Sequence, residues 1–162
     1  MIILGIDPGT ATMGYGIIKK EGMDLTCLEY GLIETEKTLS DAQRLRKIDE
    51  EIEKIFNNFS PNVLAIEKVY FSKNVKTAMT VSQAKGIVML KAAKEDIPVY
   101  EFSPSQIKST ITGHGKAKKM QVQKMIKSQL KLKERPRPND AADALGAAIC
   151  GSQKIIRDSI TS

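Results

Sequence analysis

An acidic residue closes one of the most apolar stretches of the chain. Residues 1–6 read Met-Ile-Ile-Leu-Gly-Ile, a largely β-branched run that predicts a strand buried on both faces of a sheet, and Asp7 follows directly. Pro8-Gly9-Thr10 then marks a turn. Because a carboxylate at the end of a buried strand loses water, it needs a turn amide, a basic side chain or a metal ion as a partner. This stretch alone leaves open whether Asp7 only caps the turn.

Composition excludes several classes of protein. The 162 residues are 41% hydrophobic and 27% charged, as in an ordinary folded domain. No apolar run approaches the roughly 20 residues of a membrane span and no signal peptide pattern is present, so we expect a cytoplasmic protein. Cys27 and Cys150 are too far apart for a metal motif, and we expect free thiols. His114 is the only histidine, which argues against zinc and excludes a Ser-His-Asp triad unless His114 is its base.

Positive charge is concentrated in one segment. Between Ser103 and Arg137 the chain has ten basic residues and one acidic residue, a charge of +9, whereas the remainder carries −3 and the whole chain +6. This distribution predicts a polyanionic partner on one face of the protein. A solvated, lysine-rich helix face is the alternative that charge alone leaves open.

Hydrophobic periodicity predicts alternating strands and helices. Strands are expected over residues 1–6, 13–19, 25–35, 63–66 and 98–102, with Gly31 as a bulge. Helices are expected from Ser40 to the break at Pro61-Asn62, over residues 77–96, after Ser103, over residues 120–130, and from Asn139 as N-cap to about Ile156. The tight first turn predicts an antiparallel hairpin, and the helical crossover predicts that the fourth strand is parallel to the first.

Three further acids are placed to join Asp7. The strand over residues 63–66 also ends at an acid, Glu67, and a parallel arrangement would bring Glu67 beside Asp7. Asp140 and Asp143 lie three residues apart on one face of an alanine-rich helix of the kind that packs tightly against a sheet. Alternatively, Asp140 only answers the helix dipole and Asp143 is a solvated charge.

A cluster of four carboxylates has few stable states. The groups repel one another unless they are protonated or bridged by cations, so the pattern predicts divalent metal binding. Oxygen ligands favour magnesium or manganese. Two such ions about 4 Å apart are a recurring device for cleaving phosphodiesters.

Four motifs together resemble one protein family. They are Gly5-Ile6-Asp7-Pro8-Gly9-Thr10, Ile66-Glu67-Lys68-Val69-Tyr70, Gln83-Ala84-Lys85-Gly86 and Asp140-Ala141-Ala142-Asp143-Ala144-Leu145. In this order and spacing they resemble the RuvC-type Holliday junction resolvases (crossover junction endodeoxyribonucleases) of the ribonuclease H-like superfamily, over essentially the whole chain.

The resemblance implies a fold and an activity. The fold would be α/β and ribonuclease H-like: a five-stranded mixed sheet, its first three strands antiparallel, flanked by helices on both faces. One nuclease domain would span residues 1–157, and a short tail residues 158–162. The protein would be a homodimer that resolves four-way DNA junctions in recombination and repair by paired, Mg²⁺-dependent nicks in strands of like polarity. A branch-migration motor of the RuvA-RuvB type would be a further partner.

The resemblance also assigns residues. Asp7, Glu67, Asp140 and Asp143 would hold two Mg²⁺ ions, or Mn²⁺ in their place, while Lys108 and Lys119 would act beside the scissile phosphate. Either Tyr70 or Phe71 would contact a base, and Ala84 and Gly86 would lie at the dimer contact. The remaining residues expected to bind DNA are Lys73, Asn74, Lys116 and Lys118, together with the two catalytic lysines; the role of His114 stays open.

Three alternatives remain at this stage. A ribonuclease H-like nuclease could act on another nucleic acid. A phosphotransferase of the sugar-kinase or actin type has a similar Gly-Ile-Asp-Pro-Gly-Thr loop, but such enzymes need two domains and this chain has the length for one. The third alternative is a non-catalytic junction-binding module. The four acids argue against it, because a protein that only binds phosphate has no use for clustered negative charge.

Overall fold

A mixed sheet of five strands forms the centre of the computed structural model, which describes residues 1–70 and 74–161. The strands are β1 (Ile2–Asp7), β2 (Thr12–Glu21), β3 (Asp24–Glu34), β4 (Val63–Glu67) and β5 (Val99–Phe102). They lie in the order β3-β2-β1-β4-β5, with β1, β2 and β3 antiparallel and with β4 and β5 parallel to β1. The predicted mixed sheet, antiparallel over its first three strands, is confirmed.

The described part of the chain contains five helices, which cover both faces of the sheet. They are α1 (Asp41–Phe59), α2 (Val75–Lys94), α3 (Pro104–Thr112), α4 (Lys119–Gln129) and α5 (Asn139–Thr161). Helices α1 and α2 pack over one apolar core, and α3, α4 and α5 pack over the other. No described helix combines the length and apolar character that a bilayer crossing requires.

Local sequence signals explain where two of the helices begin. Ser40 and Ser103 each accept a hydrogen bond from the backbone N–H three residues later, and the glutamine at that position, Gln43 or Gln106, bonds back. These are complete capping boxes, which satisfy two otherwise unpaired N–H groups at each helix start. Pro104 occupies the first helical position, where its missing N–H has no cost.

The predicted bulge at Gly31 is wrong. The bulge lies near Leu28, because Ile17 pairs with Glu29 and the adjacent Ile18 pairs with Cys27. Gly31 is regularly paired with Tyr15, and its missing side chain leaves room for the tyrosine ring, whose hydroxyl oxygen lies 3.0 Å from where a Cβ would stand.

The last helix is longer than expected at both ends. Helix α5 already includes Asn139, so Asn139 is a helical residue and not the N-cap. At the other end α5 continues to Thr161, so residues 158–161 form its last turn and are not a separate tail.

Helix α5 lies unusually close to β1 and β2. A Cβ at Gly5 would overlap the carbonyl oxygen of Ala144, and a Cβ at Gly14 would overlap that of Asp140. Only glycine permits this approach of a helix backbone to a strand backbone, as expected from the alanine-rich sequence of α5.

We expect Gly5→Ala to destabilise the protein strongly for its size. The added methyl group meets backbone atoms of α5 that have no side-chain freedom to yield, so the free energy of unfolding should fall by about 2–3 kcal/mol. Urea denaturation of the purified variant measures this loss. An unchanged midpoint would show that α5 can move away from the sheet at no cost.

Candidate active site

Two of the four acids meet because their strands are parallel neighbours. Ile6 of β1 lies in register with Ile66 of β4, so Asp7 and Glu67 leave the sheet side by side. Their carboxyl groups are hydrogen-bonded to each other. The predicted convergence of these two strand ends is confirmed.

The other two acids come from the first turns of α5. Asp7, Asp140 and Asp143 each offer one carboxylate oxygen, and these three oxygens lie within 4.8 Å of one another. All three residues are half-buried, as is Glu67. Three carboxylates at this spacing, with Glu67 beside Asp7, form an all-oxygen donor set, which suits a hard divalent cation such as Mg²⁺ or Mn²⁺.

The acids are electrostatically strained without a cation. Burial raises the pKa of Asp7, and the neighbouring charges of Glu67 and Asp143 raise it further. Burial and the charge of Asp143 raise the pKa of Glu67, and burial raises the pKa of Asp143. These raised pKa values favour protonation of the cluster when no cation is bound. A bound cation would compete with protons for the same oxygens.

A cleft of about 230 Å³ opens beside the cluster. It is lined by Glu67, Pro104, Ile107, Lys108, Lys119, Val122, Gln123 and Asp143. The amine of Lys119 lies 3.7 Å from a carboxylate oxygen of Asp143 and opposes the burial that raises the pKa of this acid. Lys108 lowers the pKa of Asp143 more weakly. The two lysines expected beside the scissile phosphate therefore line one cleft with the acids.

Lys118 and Lys119 stand at a helix N-terminus, where the helix dipole disfavours positive charge. Lys118 precedes α4 and Lys119 is its first residue, so both face the positive end of the helix dipole. Lys118 makes no side-chain capping hydrogen bond. Their positions cost stability in the free protein, and a bound phosphate group would reverse that cost.

Residues that follow Glu67 in the sequence were also expected to bind DNA. Tyr70 is 57% exposed and follows Glu67 by three residues, whereas Phe71 and Lys73 lie outside the described residues. The side chain of Asn74 accepts a hydrogen bond from the backbone N–H of Thr77 and so caps α2. Asn74 therefore has a structural role, in addition to any contact with DNA.

A basic groove lies along the connection between α3 and α4. It has a volume of about 550 Å³ and is lined by Thr112, His114, Lys116, Ala117, Lys118, Gln121, Lys124 and Met125. The His114 Nδ1 atom accepts a hydrogen bond of 3.0 Å from the backbone N–H of Lys116, which shapes the turn. His114 thus orders the loop that presents Lys116 and Lys118.

The predicted dimer contact needs one correction. Ala84 is fully buried in the chain's own core beneath α2, so it has no surface to offer a partner. Gly86 is exposed, and no atom of the described residues lies within 4 Å of where its Cβ would be. The assignment of Ala84 is therefore wrong, whereas Gly86 remains available.

One residue of the cleft was missed from the sequence. Met125 fits the apolar periodicity of α4 but is 40% exposed, whereas Gln123 is only 9% exposed. The amide of Gln123 donates a hydrogen bond of 2.9 Å to the Oδ1 atom of Asn139. Its position next to Val122 and three residues before Ile126 was the available signal, because it borders the apolar stripe of α4.

A ribonuclease H-like sheet with carboxylates at adjacent strand ends and lysines in the same cleft defines a metal-dependent nuclease. A family model described as crossover junction endodeoxyribonuclease RuvC matches residues 3–151 of the chain. The chain therefore belongs to the RuvC family of crossover junction endodeoxyribonucleases. This membership sets aside the phosphotransferase alternative.

Individual relatives agree over nearly the full length. Crossover junction endodeoxyribonucleases RuvC from Brevibacillus brevis and Natranaerobius thermophilus are each 47% identical over 153 residues, 94% of this chain and 92% and 95% of those proteins. The Thermus thermophilus RuvC structure is similar with a TM-score of 0.88 and 30% identity, covering 98% of this chain and 97% of that one. The structure of T. thermophilus RuvC in complex with Holliday junction substrate gives a TM-score of 0.88 at 28% identity, covering 97% and 96%.

We expect Asp7→Asn to stabilise the metal-free protein at alkaline pH. Because the pKa of Asp7 is higher in the folded than in the unfolded state, the wild type loses stability as pH rises from about 4 towards 9. Asparagine removes this titration, and the gain should be about 1 kcal/mol or more at the alkaline end. Urea denaturation in EDTA across this pH range measures it.

Asp49→Asn provides the matched control, since Asp49 is an exposed acid on α1. It should leave the pH dependence of stability as in the wild type. A wild-type protein whose stability stays level or increases over the same range would contradict the strained cluster.

Proposed function

We propose that this chain is a Mg²⁺-dependent, homodimeric resolvase that nicks two strands of like polarity in a four-way DNA junction. The observation that carries the proposal is the cluster of Asp7, Asp140 and Asp143, joined to a cleft in which Glu67 and Asp143 lie with Lys108 and Lys119. The T. thermophilus relative in complex with Holliday junction substrate supports the choice of DNA. Its cellular setting would be recombination and repair, with a RuvA-RuvB type of branch-migration motor as partner on family grounds.

The acids would hold two metal ions. Asp7, Glu67, Asp140 and Asp143 supply the oxygen ligands, and the bound ions would activate a water molecule and stabilise the leaving 3′ oxygen. Because the pKa values of Asp7 and Glu67 are raised, protons would compete with the metal, so metal affinity should weaken as pH falls. Because the carboxylates lie close together, they would hold the metal ions at one place, and the scissile phosphate would bind there.

The basic residues would hold the substrate. Lys119 and Lys108 lie across the cleft from the acids and would stabilise charge that develops on the phosphate. Lys116 and Lys118 would contact the backbone farther out, so junction affinity should fall steeply with salt. Tyr70, exposed directly after the Glu67 strand end, is suited to stacking on a base at the branch point.

The exposed face of α2 would form the dimer. Val75, Met79 and Leu90 are each more than half exposed, and with Gly86 they fall on one side of the helix. Three apolar side chains flanking a glycine allow a second helix to approach closely. A dimer would supply the two active sites that paired nicks require.

The first test is cleavage of a labelled synthetic four-way junction with and without Mg²⁺. The wild type should produce paired symmetric nicks only with the metal, and Asp7→Asn should bind the junction but lose cleavage by about a hundredfold or more. Product mapping on denaturing gels and a mobility-shift assay measure the two properties.

Two results would contradict the proposal. Binding without cleavage by the wild type, across several junction sequences and with Mn²⁺ as well, would favour a non-catalytic module. Equal action on a linear duplex or an RNA–DNA hybrid would assign the nuclease to another nucleic acid.

We expect Leu90→Glu to disrupt the dimer. The change buries a charge in an apolar interface, which is strongly unfavourable without a partner. Sedimentation velocity should show a dimeric wild type and a monomeric variant that melts as a folded protein. Ala42→Glu adds the same charge at an exposed position of α1 and should remain dimeric. A Leu90→Glu protein that stays dimeric would place the interface elsewhere.

A further inference from the structure

Gln123 joins the two parts of the candidate active site. We propose that Gln123 is a positioning residue whose hydrogen bond to Asn139 fixes the start of α4 against the start of α5 and so holds Lys119 at the acid cluster. The inference rests on the proposed nuclease function and extends it to a residue of the cleft that would act through Lys119.

The bond connects the two turns that carry the reactive groups. Gln123 lies one helical turn after Lys119, on the same side of α4. Asn139 directly precedes Asp140 and lies about one turn before Asp143. The single hydrogen bond of 2.9 Å therefore ties the turn that presents the lysine to the turn that presents two of the acids.

Other contacts of α4 fix this register poorly. Its buried side chains Val122 and Ile126 pack in the apolar core shared with α3 and α5, but apolar contact is not directional and permits sliding. The ion pair between Lys119 and Asp143 is long at 3.7 Å, and the Lys119 side chain is 54% exposed. An exposed ion pair of this kind contributes little to holding a helix in place. The hydrogen bond from the buried Gln123 has a defined length and direction and can do so.

Stability alone does not explain a glutamine at this position. Gln123 is 9% exposed, so its side chain loses most of its water, and the bond to Asn139 only compensates for that loss. A methionine of similar length would fill the same space without a polar group to satisfy. The geometry thus points to alignment of the lysine with the acids as the use of the polar pair.

The test compares single-turnover cleavage of a four-way junction with junction affinity. At saturating protein and Mg²⁺, Gln123→Met should cut the junction roughly tenfold more slowly, while the dissociation constant for the junction changes less than about twofold. Asn139→Ala, which removes the acceptor, should show the same separation of rate from binding. A Gln123→Met protein that cleaves at the wild-type rate would overturn the proposal.

A double-mutant cycle tells whether Gln123 acts through Lys119. Lys119→Ala should slow cleavage by itself, and adding Gln123→Met should slow it little further, because the group being positioned is already absent. Effects of the two substitutions that simply multiply would overturn the proposal, since they would assign Gln123 a role independent of the lysine.

Gln129→Met is the matched control. Gln129 lies on the same helix and also donates a side-chain hydrogen bond, of 3.1 Å, to the carbonyl oxygen of Ile111, but it is remote from the start of α5. Its loss should change the melting temperature at least as much as Gln123→Met does and leave the cleavage rate unchanged. Equal slowing by both variants would mean that general loosening of α4 is responsible. A wild type that fails to cleave would contradict the proposed function itself.

Discussion

The contact between the backbone of α5 and the backbones of β1 and β2 is the constraint on which the site depends. Gly5 and Gly14 leave no side chain between strand and helix, so the carbonyl oxygens of α5 lie directly on the sheet. A normal helix on a sheet stands about 10 Å away, separated by side chains. At the shorter distance, the first turns of α5 bring Asp140 and Asp143 to the oxygens of Asp7.

This approach creates an electrostatic cost that the fold must offset. Burial and mutual repulsion raise the pKa values of Asp7, Glu67 and Asp143, so the folded state is penalised whenever these acids ionise without a cation. Two apolar cores, one on each face of the sheet, stabilise the structure enough to tolerate that penalty. A bound metal ion would relieve this repulsion, so the same strain favours metal binding at the cluster.

The meeting of the acids could be predicted from sequence, because the sequence indicates the direction of the strands and the close packing of the helix that carry them. Asp7 and Glu67 end apolar strands that a helical crossover makes parallel, and the small residues around Asp143 indicate a helix pressed on the sheet. Gln123 could not be predicted in this way, since Met125 fits the apolar pattern of α4 better and only tertiary packing exposes it. Similarly, the burial of Ala84 depends on which side of α2 meets α1, and the local motif does not contain that information.

The site is therefore assembled from two parts of unequal rigidity. The acids stand on the central strands and on a helix locked against them, so their geometry is set by the fold itself. The lysines stand on α3 and α4, on either side of an exposed basic loop, and the bond from Gln123 is one of the polar contacts that connect α4 to α5. The part that we propose holds the metal is therefore built into the sheet and α5, whereas the part that we propose binds the substrate stands on α3 and α4 and depends, in our proposal, on the bond from Gln123 to Asn139 for its alignment with the acids.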